Sequence, residues 1–179
     1  VFHRDLLFSC SDDGTVRSWN VKTGEKTRIY RGGNGWFSAL AVDGPALFGA
    51  SSDGTAYAWD IASARLVQTY SCHSHRGGWI RSIAVDGPNK RVYTAGSDGA
   101  IVEWDMIQGD VLRTIHHAHS RGINSIKLMP SPLSSGEQIL LSASDDGLIR
   151  AWSLSSLKLL TQYGGHSGSV LTLLVTDSF

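Results

Sequence analysis

The sequence predicts an all-β chain built from four repeats of one four-stranded unit, and three observations carry that reading. An Asp-Gly pair is followed, six residues after the Asp, by a tryptophan that ends an apolar strand pattern. This happens four times: Asp13-Gly14 to Trp19, Asp53-Gly54 to Trp59, Asp98-Gly99 to Trp104 and Asp146-Gly147 to Trp152. The tryptophans recur at steps of 40, 45 and 48 residues. Each step holds four short strand patterns separated by turn chemistry. A period of roughly 40–45 residues made of short strands points to a β-propeller of four-stranded antiparallel blades. Residues 1–179 read as one propeller domain or a fragment of a larger one, with units centred on Trp19, Trp59, Trp104 and Trp152.

Each unit opens on an alternating apolar segment: Phe37 to Val42, Ile80 to Val85 and Ile123 to Leu128. A turn such as Asp43-Gly44-Pro45 or Asp86-Gly87-Pro88-Asn89 follows. Next come nearly continuous apolar runs, Leu6 to Cys10, Ala46 to Ala50, Arg91 to Ala95 and Gln138 to Ala143. The Asp-Gly turn comes after them, a strong hairpin signal because Gly tolerates the positive φ that matches strand twist. It leads into the strand ending in Trp. An amphipathic fourth strand closes each unit: Glu25 to Tyr30, Arg65 to Tyr70, Val111 to Ile115 and Lys158 to Tyr163. Its charges suit an outer edge, where they discourage further strand pairing. On this reading the first unit lacks its inner strand, and Ser169 to Val175 supply an inner strand with no unit after it.

Bulk composition narrows the function classes. With 41% apolar and 18% charged residues the chain is an ordinary globular protein rather than a disordered tail. Sixteen Lys and Arg balance sixteen Asp and Glu, so no global field favours nucleic acid or an anionic membrane, and neither is expected as a partner. Cys10 and Cys72 are too few for a disulfide framework, and Cys10 reads as a small core residue. No stretch has the length of a transmembrane helix or the layout of a signal peptide, so an intracellular setting, cytoplasmic or nuclear, is expected.

The motifs resemble those of the WD-repeat β-propeller family over essentially the whole chain. The naming dipeptide stands as Trp59-Asp60 and Trp104-Asp105 and is altered to Trp19-Asn20 and Trp152-Ser153. Its Gly-His partner stands as Gly165-His166, with Ala118-His119 and Ser74-His75 as weaker versions, while Gly33-Asn34 lacks the histidine. The resemblance implies a hydrogen-bonded network in each blade. It maps to His119, Ser142, Asp146 and Trp152 in the fourth unit and to His75, Thr94, Asp98 and Trp104 in the third. Ser, His and Asp together also suggest a nucleophilic triad, and a propeller-based hydrolase or metal enzyme is the rival from another class. The implied hydroxyl, however, is expected to be buried and committed to the indole N–H, leaving no open face for substrate, so the residues read as structural and no catalytic residue is expected. Asn34 and Gly49 break the pattern in the second unit, which is expected to be held more loosely.

The family resemblance also implies more blades than four. A four-bladed ring would pair Ser169 to Val175 with Leu6 to Cys10 and let His166 join Ser9, Asp13 and Trp19, but it forces the blades to splay steeply and underfills the cores between them. The expectation is an open arc whose end blades expose apolar surface and whose isolated chain self-associates.

Two loops carry Cys72-His73-Ser74-His75 and His116-His117-Ala118-His119 on the same face. Such groups suit a zinc site, but His75 and His119 are claimed by the structural network and the spacing is not finger-like, so no metal or cofactor is expected. No Gly-rich segment leads into a helix with a Walker-type Lys. Met129 to Glu137 reads as an inserted connection on the opposite face, with Ser131-Pro132 a weak modification candidate. Trp36 and Trp79 recur just before successive inner strands, at the channel rim on the face of the Asp-Gly turns. Arg76, Arg81 and Arg121 lie near them. Exposed Trp beside Arg is the composition of interface hot spots, so these five residues are the candidate site for a protein or peptide partner. An alternative is recognition of a modified or acidic segment through the arginines.

Overall fold

The computed structural model describes residues 1–71, 78–131 and 137–176, and those residues form four antiparallel sheets of four strands each. The first sheet holds β1 (Phe2–His3), β2 (Leu6–Cys10), β3 (Thr15–Asn20) and β4 (Lys26–Arg31). The second holds β5 (Phe37–Asp43), β6 (Ala46–Ser51), β7 (Thr55–Asp60) and β8 (Leu66–Ser71). The third holds β9 (Ile80–Asp86), β10 (Arg91–Gly96), β11 (Ile101–Asp105) and β12 (Val111–Ile115). The fourth holds β13 (Ile123–Pro130), β14 (Gln138–Ser144), β15 (Ile149–Ser153) and β16 (Leu159–Tyr163). In every sheet the strands lie in sequence order.

Two kinds of turn explain why the repeat carries these residues. In the hairpin between the second and third strands, the Asp carboxylate accepts the backbone N–H two residues on. The pairs are Asp13 with Thr15 at 2.9 Å, Asp53 with Thr55 at 2.9 Å, Asp98 with Ala100 at 3.1 Å and Asp146 with Leu148 at 3.1 Å. The following glycines all have φ between 71° and 82°, a region that costs a Cβ-bearing residue. The residue after each Trp caps the next turn in the same manner. Asp60 and Asp105 accept from Ser63 and from Ile107 and Gln108, and the altered residues serve equally: Asn20 accepts from Lys22 and Thr23, and Ser153 from Ser156. A bulge in the pairing of the third and fourth strands falls immediately before the Trp in all four sheets.

The core lies between the sheets. One apolar cluster joins the first and second, a second joins the second and third, and a third joins the third and fourth. Trp59 and Trp104 are fully buried in this way and Trp152 is 5% exposed. A polar tie repeats at each junction. Tyr30 donates its hydroxyl to the Ile61 carbonyl at 3.0 Å and Tyr70 to Met106 at 2.6 Å. At the third junction Ile115 takes the place of the tyrosine, and Arg113 supplies the donor instead, reaching the Leu154 carbonyl at 2.7 Å. Burying such carbonyls without a donor would cost about 1–3 kcal/mol each.

The ends differ from the sequence expectation in two ways. The first unit does have an inner strand, the short β1, with Phe2 opposite Leu7 and His3 opposite Leu6. Residues 171–176 form no strand, because no strand among the described residues lies beside them to pair with. The Val170 N–H instead donates to the Ser144 carbonyl at 2.9 Å, the same contact that Phe37 makes to Ser11 at 3.2 Å. The trailing segment is therefore docked on the fourth sheet, and the arc is open between its first and fourth sheets.

Candidate interaction face

Trp36 and Trp79 stand at the same register position of the second and third sheets, on the end that carries the Asp-Gly turns. The Trp36 N–H donates to Ser52 Oγ and its carbonyl accepts from the Ser52 N–H, at 3.0 and 2.9 Å. Trp79 and Ser97 repeat the pair at 2.8 and 2.9 Å. The two backbones are thus clamped by the serine before each turn Asp. The indoles meet edge to face with centroids 5.4 Å apart, and they remain 36% and 47% exposed. Two large rings are held still at the surface and pack on each other across a junction between sheets.

The arginines divide. Arg81 donates from Nη1 to Asn124 Oδ1 and to Asp145 Oδ2, both at 2.8 Å, with its side chain 29% exposed. Asn124 first and Arg81 next hold the Asp145 carboxyl below its ordinary range. The contact belongs to a ladder of ties from one register position. Ser38 reaches the Ile80 carbonyl at 2.7 Å, Arg81 reaches Asn124, and Asn124 Nδ2 reaches the Val170 carbonyl at 3.1 Å. Arg81 is therefore committed to joining the third sheet to the fourth. Arg121 is exposed and borders a hollow of about 430 Å³ with Ser120, Gly147 and His166. Arg76, with Cys72 and His73 to His75, lies outside the described residues, as do Pro132 to Gly136 of the connection from Met129 to Glu137.

The network implied for the fourth unit is complete. His119 Nδ1 bonds the Asp146 carboxylate at 3.0 Å, its Nε2 lies 2.7 Å from Ser142 Oγ, and Trp152 Nε1 donates to the same oxygen at 2.9 Å. Burial pushes the His119 imidazole below its ordinary value against the pull of Asp146. Asp146 also sits below its ordinary value: its own burial opposes ionisation, and the bond from His119 outweighs it. Ser142 is fully buried with both neighbours bound, so its oxygen has no path to a substrate. In the third unit Trp104 Nε1 donates to Thr94 Oγ1 at 2.8 Å, while His75 falls outside the described residues. The first unit keeps only the bond from Trp19 Nε1 to Ser9 Oγ, at 2.9 Å.

The second unit solves the same problem differently and is not loosely held. Gly49 has no hydroxyl, and a Cβ there would lie 2.9 Å from the Trp59 ring. Trp59 Nε1 donates instead to the Arg31 carbonyl of the first sheet at 2.9 Å. Tyr57 stacks on Trp59 with centroids 5.9 Å apart and donates its hydroxyl to Asp53 at 2.8 Å. Phe37 packs edge to face on both rings. An aromatic cluster with one redirected donor replaces the His-centred network.

Sequence reasoning missed a charged cluster on the opposite face. Glu103 is 2% exposed, forks onto the guanidinium of Arg113, accepts from the Tyr93 hydroxyl at 3.2 Å and lies 3.6 Å from Arg91. The Glu103 bonds hold Arg113 above its ordinary value. These residues border a cleft of about 330 Å³ between the third and fourth sheets. The only sequence signal was a Glu inside a strand beside the repeat Trp, where the other units carry Ser18, Ala58 and Ala151.

Comparison with known proteins places this architecture. The model of the WD domain, G-beta repeat (WD40), matches residues 2–20, 64–105 and 109–153, which together make up more than half of the chain. The chain belongs to the WD40 repeat family. Among curated relatives it is 26% identical over 180 residues to the protein TOPLESS of Arabidopsis thaliana, covering 90% of this chain and 14% of that protein. It is 30% identical over 178 residues to nuclear distribution protein PAC1-2 of Uncinocarpus reesii, covering 94% of this chain and 36% of that one. The WD40 chain thus spans about a third or less of these relatives' length. A solved structure of the computationally designed Ika8 protein matches with a TM-score of 0.80 and 25% identity, over 99% of this chain and 52% of that chain. No helix among the described residues is long and apolar enough to cross a membrane. Among the same residues no group of three or more His, Cys, Asp or Glu is placed to hold a metal ion. WD40 proteins are in general protein-interaction scaffolds.

Proposed function

We propose that this WD40 chain is a non-enzymatic binding module, intracellular in setting, that docks a protein or peptide on its turn face through the Trp36–Trp79 pair, with Arg121 at the border. The observation that carries this reading is the edge-to-face pair itself. Large aromatics left exposed on clamped backbone offer much contact area and little ordering cost, and such residues dominate measured interface energies. The rest of the arc supplies rigidity, since sheets packed face to face hold the loops still. Recognition of an acidic or modified segment is the second reading; Arg81 is tied to Asp145, so among the described residues it rests on Arg121.

The test selects peptides against the wild-type chain from a random displayed library and measures their affinity for a Trp36→Ser, Trp79→Ser double variant whose circular dichroism is unchanged. Affinity is expected to fall about tenfold or more, the scale of a lost aromatic anchor. Peptides that bind both proteins equally would overturn the reading. An Arg121→Ala variant and a salt titration separate the two modes: steep salt dependence that disappears with Arg121 marks the acidic-segment mode.

A further inference from the structure

The six tryptophans divide by what their indole N–H groups do. The four repeat tryptophans spend that donor inside the fold: Trp19 on Ser9 Oγ, Trp59 on the Arg31 carbonyl, Trp104 on Thr94 Oγ1 and Trp152 on Ser142 Oγ. Trp36 and Trp79 do not. Their backbone N–H and carbonyl groups are all taken by Ser52 and Ser97, but among the described residues neither indole N–H has an acceptor. The clamp is close at Trp79, because Gly96 leaves room for its carbonyl and a Cβ there would collide with it. Arg81, two residues after Trp79, is spent on Asn124 and Asp145. The pair therefore offers a partner ring surface and two N–H donors, and no charge of its own.

On the reading that this pair is the partner-binding surface, we propose that the segment it takes is a proline-rich peptide in the polyproline II conformation. Such a chain has no internal hydrogen bonds, so its carbonyls stand free to accept from the two indoles. Its pyrrolidine rings give flat apolar surface to the indole faces, and its preformed conformation keeps the ordering cost low. The spacing fits. A polyproline II strand rises about 3.1 Å per residue, so side chains two apart are separated by about 6 Å along it, close to the 5.4 Å between the indole centroids.

The other common forms of bound peptide leave something on this surface unmatched. An added strand needs free backbone donors and acceptors, and those of Trp36 and Trp79 are occupied. A helix commits its carbonyls to its own N–H groups, so covering the pair with one would bury both indole N–H groups without an acceptor. An acidic motif calls for a cluster of arginines, and Arg81 is held by Asp145. A polyproline II chain meets both the rings and the donors.

Two displayed libraries of random peptides test the proposal, alike except that one fixes Pro at positions i and i+3 and the other fixes Ala there. Recovery on the wild-type chain is expected to be about tenfold or more higher from the Pro library. A Trp36→Phe, Trp79→Phe double variant, with circular dichroism unchanged, keeps both rings and removes both N–H donors. It is expected to weaken the selected peptides about tenfold or more, the scale of two lost hydrogen bonds. The Trp36→Ser, Trp79→Ser variant is expected to lose them altogether. Equal recovery from the two libraries that is lost in the Ser variant would overturn the proline assignment and leave the binding face standing. Recovery that the Ser variant does not lower would overturn both. Full affinity in the Phe variant would also sink the proposal, since the indole N–H groups would then have no part in it.

Discussion

The indoles of Trp36 and Trp79 touch edge to face at 5.4 Å although each belongs to a different sheet. Aromatic pairs of this geometry contribute about 0.5–1.5 kcal/mol beyond their buried area, far less than a buried tryptophan contributes to a core. The exposed pair is therefore available for contact with a partner at small cost to the fold, which separates it from the tryptophans of the repeat.

That separation is measurable. Trp152→Ala removes a nearly buried ring and strands Ser142 and His119, and it is expected to destabilise the chain by about 3–5 kcal/mol. Trp36→Ala is expected to lose about 1 kcal/mol, the worth of the aromatic pair. Urea denaturation of the two variants checks the contrast; equal losses would place Trp36 in the core rather than on the surface.

The His119 network predicts an acid-sensitive fold. The folded imidazole sits below its ordinary value because it is buried, so the unfolded chain takes up the proton first as pH falls. Its contribution is present above about pH 6.5 and is lost as pH drops through that value toward the lower folded one. Stability measured between about pH 7 and pH 5 should decline in the wild type and decline less in His119→Gln. Parallel slopes in the two proteins would show that another group carries the effect.

Arg81 offers a third prediction, since the sequence suggested a partner contact and the geometry gives a tie between sheets. A double-mutant cycle with Arg81→Ala and Asp145→Ala should yield a coupling of about 0.5–1 kcal/mol, the range for partly exposed ion pairs. Additive losses would release Arg81 from this role and return it to the binding face.

The sequence by itself determined the repeat and its chemistry. The turn Asp accepting a backbone N–H two residues on, the glycine at positive φ, and the cap after each Trp are all contacts within a few residues, so they are legible in a short window. The exchange of Asp for Asn20 or Ser153 conceals nothing once the role is known to be acceptance of a turn N–H. The network of His119, Ser142, Asp146 and Trp152 was reachable only through the family resemblance, whose motif positions these residues fill. Only the tertiary structure decided what lies between sheets. It turned Trp59 to the Arg31 carbonyl, committed Arg81 to Asp145, buried Glu103 on Arg113 and brought Trp36 against Trp79. The physical reason is range. A junction between sheets depends on the rotation and spacing of whole units and on whether a neighbouring unit is present, and a residue's place in its own repeat encodes neither.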